Sequence, residues 1–181
     1  MRRLAILVPA LTGCLPDDWN GEAYTGPPDS GAATTETGAP TGSTGTGDGT
    51  IVGDWVSAGD DRSPLFAADP FAYQRVDATF EADGSYVVTT VTPDGAAIDL
   101  VGSYTVDDGT TPATIALSQQ TPYVAEAEGI YAVDGGTMTY EVVQTVPDYG
   151  FTPPTPATGF GSTGGPGFDA GANVQIYRWV P

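Results

Sequence analysis

The chain has no histidine and no lysine, and Cys14 is its single cysteine among 181 residues. Lack of the first two removes the usual general bases and nucleophile partners, leaving pairs of carboxylates as the main catalytic resource. One cysteine allows no internal disulfide, so the fold must rest on core packing. Positive charge is almost as scarce: five arginines stand against 23 acids, a formal net charge of −18. Nucleic acid is excluded as a partner, because binding a phosphate backbone needs a basic footprint. Electrostatic docking on an anionic lipid surface is excluded for the same reason. The acidity serves solubility or the steering of a cationic ligand. Long apolar runs are missing as well. The stretch at 4–11, interrupted by Pro9, is far shorter than the roughly 20 residues of a spanning helix.

What is present begins with an address. Arg2 and Arg3 precede the apolar stretch, and Thr12 and Gly13 follow it directly before Cys14. This order reads as an export signal over residues 1–13. The tetrapeptide Leu11-Thr12-Gly13-Cys14 resembles the lipobox of bacterial lipoproteins. The resemblance implies cleavage before Cys14, a diacylglyceryl group on its sulfur and acylation of the new amino group. Several acyl chains anchor stably where one binds only reversibly. Leu15, rather than Asp, follows the cysteine, which by the same resemblance points to the outer membrane of the cell envelope. The alternative is a buried N-terminal strand with an incidental cysteine.

Residues 14–50 read as the lipidated N-terminus and a disordered linker. Across 25–50, Thr, Gly, Pro and Ser supply 20 of 26 residues and no bulky apolar side chain occurs. Such a segment buries too little surface to offset its chain entropy. Trp19 and Tyr24 lie near the lipid end, either exposed or resting at the interface.

From residue 51 to 181 the pattern is that of one folded, all-β domain. "RVDATFEA" puts Val76, Ala78 and Phe80 on one face, and Asp83-Gly84 turns the chain into "SYVVTTVT". Pro93-Asp94-Gly95 leads to "AIDLVGSYTV", which has room to bend at Gly102; "ATIALS", "GIYAV", "TMTYEVVQ" and "NVQIYRWV" follow. With "IVGDWVSA" in front, this makes about eight antiparallel strands, with at most a turn or two of helix at 64–73. The pattern suits an up-and-down barrel or a sandwich. A barrel is preferred, since closure removes edges that the chain has no lysines to guard.

Gly53-Asp54-Trp55 resembles the Gly-x-Trp of lipocalins, and "VGSYTVDDGTTPATIALS" with "GIYAVDGGTMTYEV" resembles lipocalin-like domains of exported bacterial proteins. The resemblance implies a lipocalin-like barrel. It also implies that Arg178 packs over the Trp55 indole at a closed end, making Gly53, Trp55 and Arg178 a structural motif. The alternative is that Arg178 faces solvent and Trp179 faces the core.

The chemistry of the domain is sparse. Glu126 and Glu128 share one strand face at about 6–7 Å, a spacing open to hydrolysis but simpler as a solvated acidic face. Asp107-Asp108 reads as turn chemistry, and Asp60-Asp61 as at most an adventitious calcium contact. No catalytic residue, resident metal or cofactor is assigned. The Gly- and Pro-rich loop at 145–172 carries Tyr149, Phe151, Phe160 and Phe168 as candidate contacts for a ligand or partner. It can fold over the barrel mouth as a lid, present an exposed patch, or pack on its own barrel wall. Two functions follow. One is a membrane-anchored module carrying a small apolar ligand. The other is a filled, non-enzymatic module that contacts an envelope protein through the aromatic loop. The interior decides between them: an apolar hollow favours the first, and packing by Phe80, Tyr86, Tyr104, Tyr131 and Tyr140 the second.

Overall fold

The computed structural model describes residues 49–166 and 169–181. Cys14, the linker and Phe168 therefore lie outside the described residues. Eight strands close a barrel in sequence order: β1 (Gly53–Ala58), β2 (Arg75–Phe80), β3 (Ser85–Val91), β4 (Ala97–Asp107), β5 (Ala113–Thr121), β6 (Ala125–Asp134), β7 (Thr137–Val146) and β8 (Gln175–Val180). Each strand is antiparallel to its neighbours, and β1 pairs with β8 to complete the ring. This is the expected up-and-down barrel.

The turn residues do what their chemistry dictates. Asp83 accepts hydrogen bonds from the Ser85 amide (2.9 Å) and hydroxyl (2.7 Å), closing the β2–β3 turn. Period-2 alternation then sorts the side chains, as in β2, where Val76, Ala78 and Phe80 are buried. In β4 the bend expected at Gly102 coincides with a register shift between Val101 and Gly102.

The chain's own aromatic side chains pack much of the interior, while inward-facing Val88, Leu117, Ala127, Tyr140 and Val142 are only partly buried. At the end where β1 begins, Trp55 is buried and donates its indole N–H to the Ile51 carbonyl (2.7 Å). Trp179 meets it edge to face, with centroids 5.2 Å apart. Further in, Phe80 contacts Tyr86, Tyr104 and Tyr140 at 6.2, 5.1 and 6.4 Å, and Tyr140 contacts Tyr177 at 5.8 Å. Such pairs contribute roughly 0.5–1.5 kcal/mol each beyond the area they bury. Tyr131, Ile115 and Met138 belong to the same cluster, with Ile51, Val76 and Ala78.

The connection from β1 to β2 holds a 3-10 turn at Gly59–Asp61 and one helical turn, α1 (Pro64–Ala67), started by Pro64 and capped by the Ser63 hydroxyl. Phe66, Phe71 and Tyr73 form a triangle of rings 5.5–5.7 Å apart, and Phe66 and Tyr73 pack on the core. In an up-and-down barrel this connection leaves from the end opposite the Trp55–Trp179 pair.

Candidate functional site

The lipocalin resemblance joined Arg178 to Trp55, and the structure corrects this. In an antiparallel pair, residues directly opposite share a face. Trp55 is opposite Trp179, so Arg178, one residue away, must point outward opposite Val56. There its guanidinium donates to both carboxylate oxygens of Asp61 (2.9 and 3.0 Å) and to the Thr137 hydroxyl (3.0 Å). The guanidinium holds the Asp61 carboxyl below the usual carboxylate range. Gly53 and Trp55 do sit at the plugged end, with Trp179 as the third member. Gly53 has φ +132°, and a Cβ on it would lie 2.0 Å from the Trp179 ring. Only glycine leaves room for that indole.

The described residues of the β7–β8 connection, 147–166 and 169–174, lie against the outer wall of the barrel. Thr152 and Gly164 form an antiparallel bridge within that connection, and Thr155 begins a tight turn closed by a bond from the Gly159 amide (2.9 Å). The folded strap is then clasped by one side chain of the sheet. Glu141 points outward from β7, yet it is 0% exposed. Its carboxylate accepts the Gly161 amide (2.5 Å), the Thr163 amide (2.9 Å) and the Thr163 hydroxyl (2.5 Å). A buried carboxylate persists where donors replace the lost water. Ile130, opposite Glu141 on β6, is also 0% exposed, and Val143 is buried beside them. Asn173 ties the end of the strap to β7 through the Val142 carbonyl (2.6 Å).

The candidate aromatics are therefore divided. Tyr149 is 43% exposed and meets Phe151 with ring centroids 6.4 Å apart, while Phe151 and Phe160 are partly buried in the strap. Among the described residues, Tyr149, Phe151 and Phe160 form no single exposed cluster. The clasp itself escaped the sequence reading. A glutamate at an outward strand position is ordinary, and Thr163 lies 22 residues away from it.

Beside the strap, two grooves occupy the outer face of β4, β5 and β6. One, of about 350 Å³, is lined by Thr105, Asp107, Thr114, Ala116, Glu128 and the strap's prolines 153, 154 and 156, among others. The other, of about 180 Å³, shares Thr105, Ala116 and Glu128 and adds Ser103, Ser118 and Glu126. Glu126 and Glu128 are exposed on one face, as expected. Among the described residues no group of three or more His, Cys, Asp or Glu is arranged to hold a metal. The two ion pairs among them are Arg178–Asp61 and Arg75–Asp77.

Inside the barrel, burial raises the tyrosine hydroxyls. Tyr86 is pushed up to about 12, and Tyr140 and Tyr177 are raised as well. These phenols are neutral at ordinary pH and pack in the interior.

No family model, curated protein or solved structure matches this chain.

Proposed function

We propose that this chain is an exported, lipid-anchored lipoprotein whose lipocalin-like barrel works as a non-enzymatic binding module through its outer surface. The observation that carries this reading is the aromatic cluster packed inside the barrel. Trp55, Phe80, Tyr86, Tyr104, Tyr131 and Tyr177 are all buried and belong to one core cluster. Carriage of an apolar ligand needs roughly 300–1,000 Å³ of lined space. The grooves described above lie outside the barrel, against the strap. Recognition then falls to the outer wall and to the strap that borders it. The anchor rests on the basic start, the short apolar run and the Leu11–Cys14 tetrapeptide.

Native mass spectrometry of the exported chain carrying Cys14→Ser tests the reading. The expected mass is that of the bare polypeptide. A stoichiometric lipid-sized adduct would overturn surface binding in favour of a carried apolar ligand. The wild-type chain should carry acyl groups on Cys14, and a free thiol there would overturn the anchor alone.

A further inference from the structure

We propose that the groove between the strap's prolines and the outer face of β4–β6 binds an extended polypeptide segment bearing two cationic side chains on alternate residues. The proposal rests on the surface-binding reading above and names the surface and the partner's chemistry.

The shape comes first. The two grooves share Thr105, Ala116 and Glu128, so they adjoin at that row and follow one another along the strands. On β5 they extend together from Thr114 to Ser118, four residue steps, or about 13 Å of strand. That is the length of four to five extended residues. The floor is made of small side chains, namely Thr105, Thr114, Ala116 and Ser118, which let a backbone approach closely. The prolines at 153, 154 and 156 supply an apolar wall with no amide hydrogen to satisfy. All of these strands are paired on both sides, so no free sheet edge offers backbone hydrogen bonds here. Side chains must carry the recognition.

Charge then selects the occupant. Glu126 and Glu128 stand on the groove's β6 side, and neither takes part in an ion pair among the described residues. Residues 51–181 hold 17 acids and three arginines. Arg75 and Arg178 are paired with Asp77 and Asp61, and Arg62 donates to the carbonyls of Gly59 and Tyr73. None of the three lines the groove. Two occupants close at hand are repelled. The chain's own segment 25–50 carries Asp29, Glu36 and Asp48 with no basic residue, and a second barrel brings the same acidic surface.

Spacing sharpens the partner further. Glu126 and Glu128 are two residues apart on a strand, about 6–7 Å. An extended peptide sets its own i and i+2 side chains at the same interval and on the same side. A Lys-x-Lys or Arg-x-Arg segment therefore meets both carboxylates at once, with its intervening residue turned away.

The test is an amide-shift titration of the ¹⁵N-labelled full chain with acetyl-Gly-Lys-Val-Lys-Gly-amide. Its isomer acetyl-Gly-Val-Lys-Lys-Gly-amide has the same charge at the wrong spacing, and spermidine has charge without a backbone. The expected shifts cluster at Thr105, Thr114, Ala116, Glu128 and Thr155, with the alternating peptide about tenfold tighter than its isomer and than spermidine. Glu126→Gln with Glu128→Gln should weaken binding at least fivefold, about twice the effect expected from general charge alone. Asp60→Asn with Asp69→Asn removes the same charge elsewhere and should weaken binding by about 2.5-fold, the general-charge effect alone. Equal losses in the two double variants, equal affinity of the three probes, or the absence of shifts would each overturn the proposal. A lipid adduct in the native mass spectrum would overturn the surface-binding reading without moving any of these results.

Discussion

Glu128 and Glu141 point outward from adjacent strands of one barrel wall, and their surroundings are opposite. Glu128 is exposed at the side of an open groove, and Glu141 is sealed beneath the strap with three donors on its carboxylate. Ile130, two residues along from Glu128 on the same face, is as buried as Glu141. The wall is thus divided into a covered region, where an outward residue behaves as core, and a bare region, where it behaves as surface. Facing outward and being solvated are separate properties in this barrel. What separates them is a connection of 28 residues, 147–174, between β7 and β8.

Four measurements break or sharpen that division. The largest effect belongs to the interior, against which both outer regions are judged. A phenol whose folded pKa lies above its unfolded value favours folding below pH 10, and that contribution is lost as pH rises through the folded value. For Tyr86 the window runs from about pH 10 to about pH 12. Urea melts should show cooperative loss of the barrel across that range. Tyrosinate absorbance from the inner ring cluster should rise together with unfolding; a rise well before it would mean that the interior admits water. Next, Glu141→Ala strands two amides and a hydroxyl beneath the strap and should cost about 3 kcal/mol, read from the urea midpoint at constant slope. A loss below 1 kcal/mol would place Glu141 in the solvated class with Glu128. Third, Thr163→Val keeps the shape but removes one donor, and should cost about 1–2 kcal/mol while speeding hydrogen exchange at Gly161. Smallest of all, Glu126→Gln with Glu128→Gln should leave stability within about 0.5 kcal/mol, as for other exposed substitutions. A larger change would show that the bare wall contributes to the fold.

The strands were legible because their signals are local. Val76, Ala78 and Phe80 alternate, Asp83-Gly84 turns, and each decision needs only a few neighbouring residues. Barrel closure followed from the number of strands and the need to remove edges. The site was far less legible, for two reasons. Alternation tells which side of a strand a residue takes, but not what lies over the outer side, so it does not separate Glu141 from a solvated glutamate. The Arg178 expectation failed on register. Whether Arg178 or Trp179 shares a face with Trp55 depends on a one-residue offset between strands 124 positions apart. The composition of the loop at 145–172 allows three arrangements, of which packing on its own wall is one. Its prolines and glycines permit the strap without specifying where it docks.

The Trp55–Trp179 contact has an optical consequence. Two of the chain's three tryptophans are brought edge to face at 5.2 Å by β1 and β8, the first and last strands of the barrel. Their indole transitions couple at that distance and uncouple when the seam opens. The exciton couplet of the indole pair therefore reports closure of the β1–β8 seam itself, and its loss in a Trp179→Phe variant separates it from the signal of strands already formed.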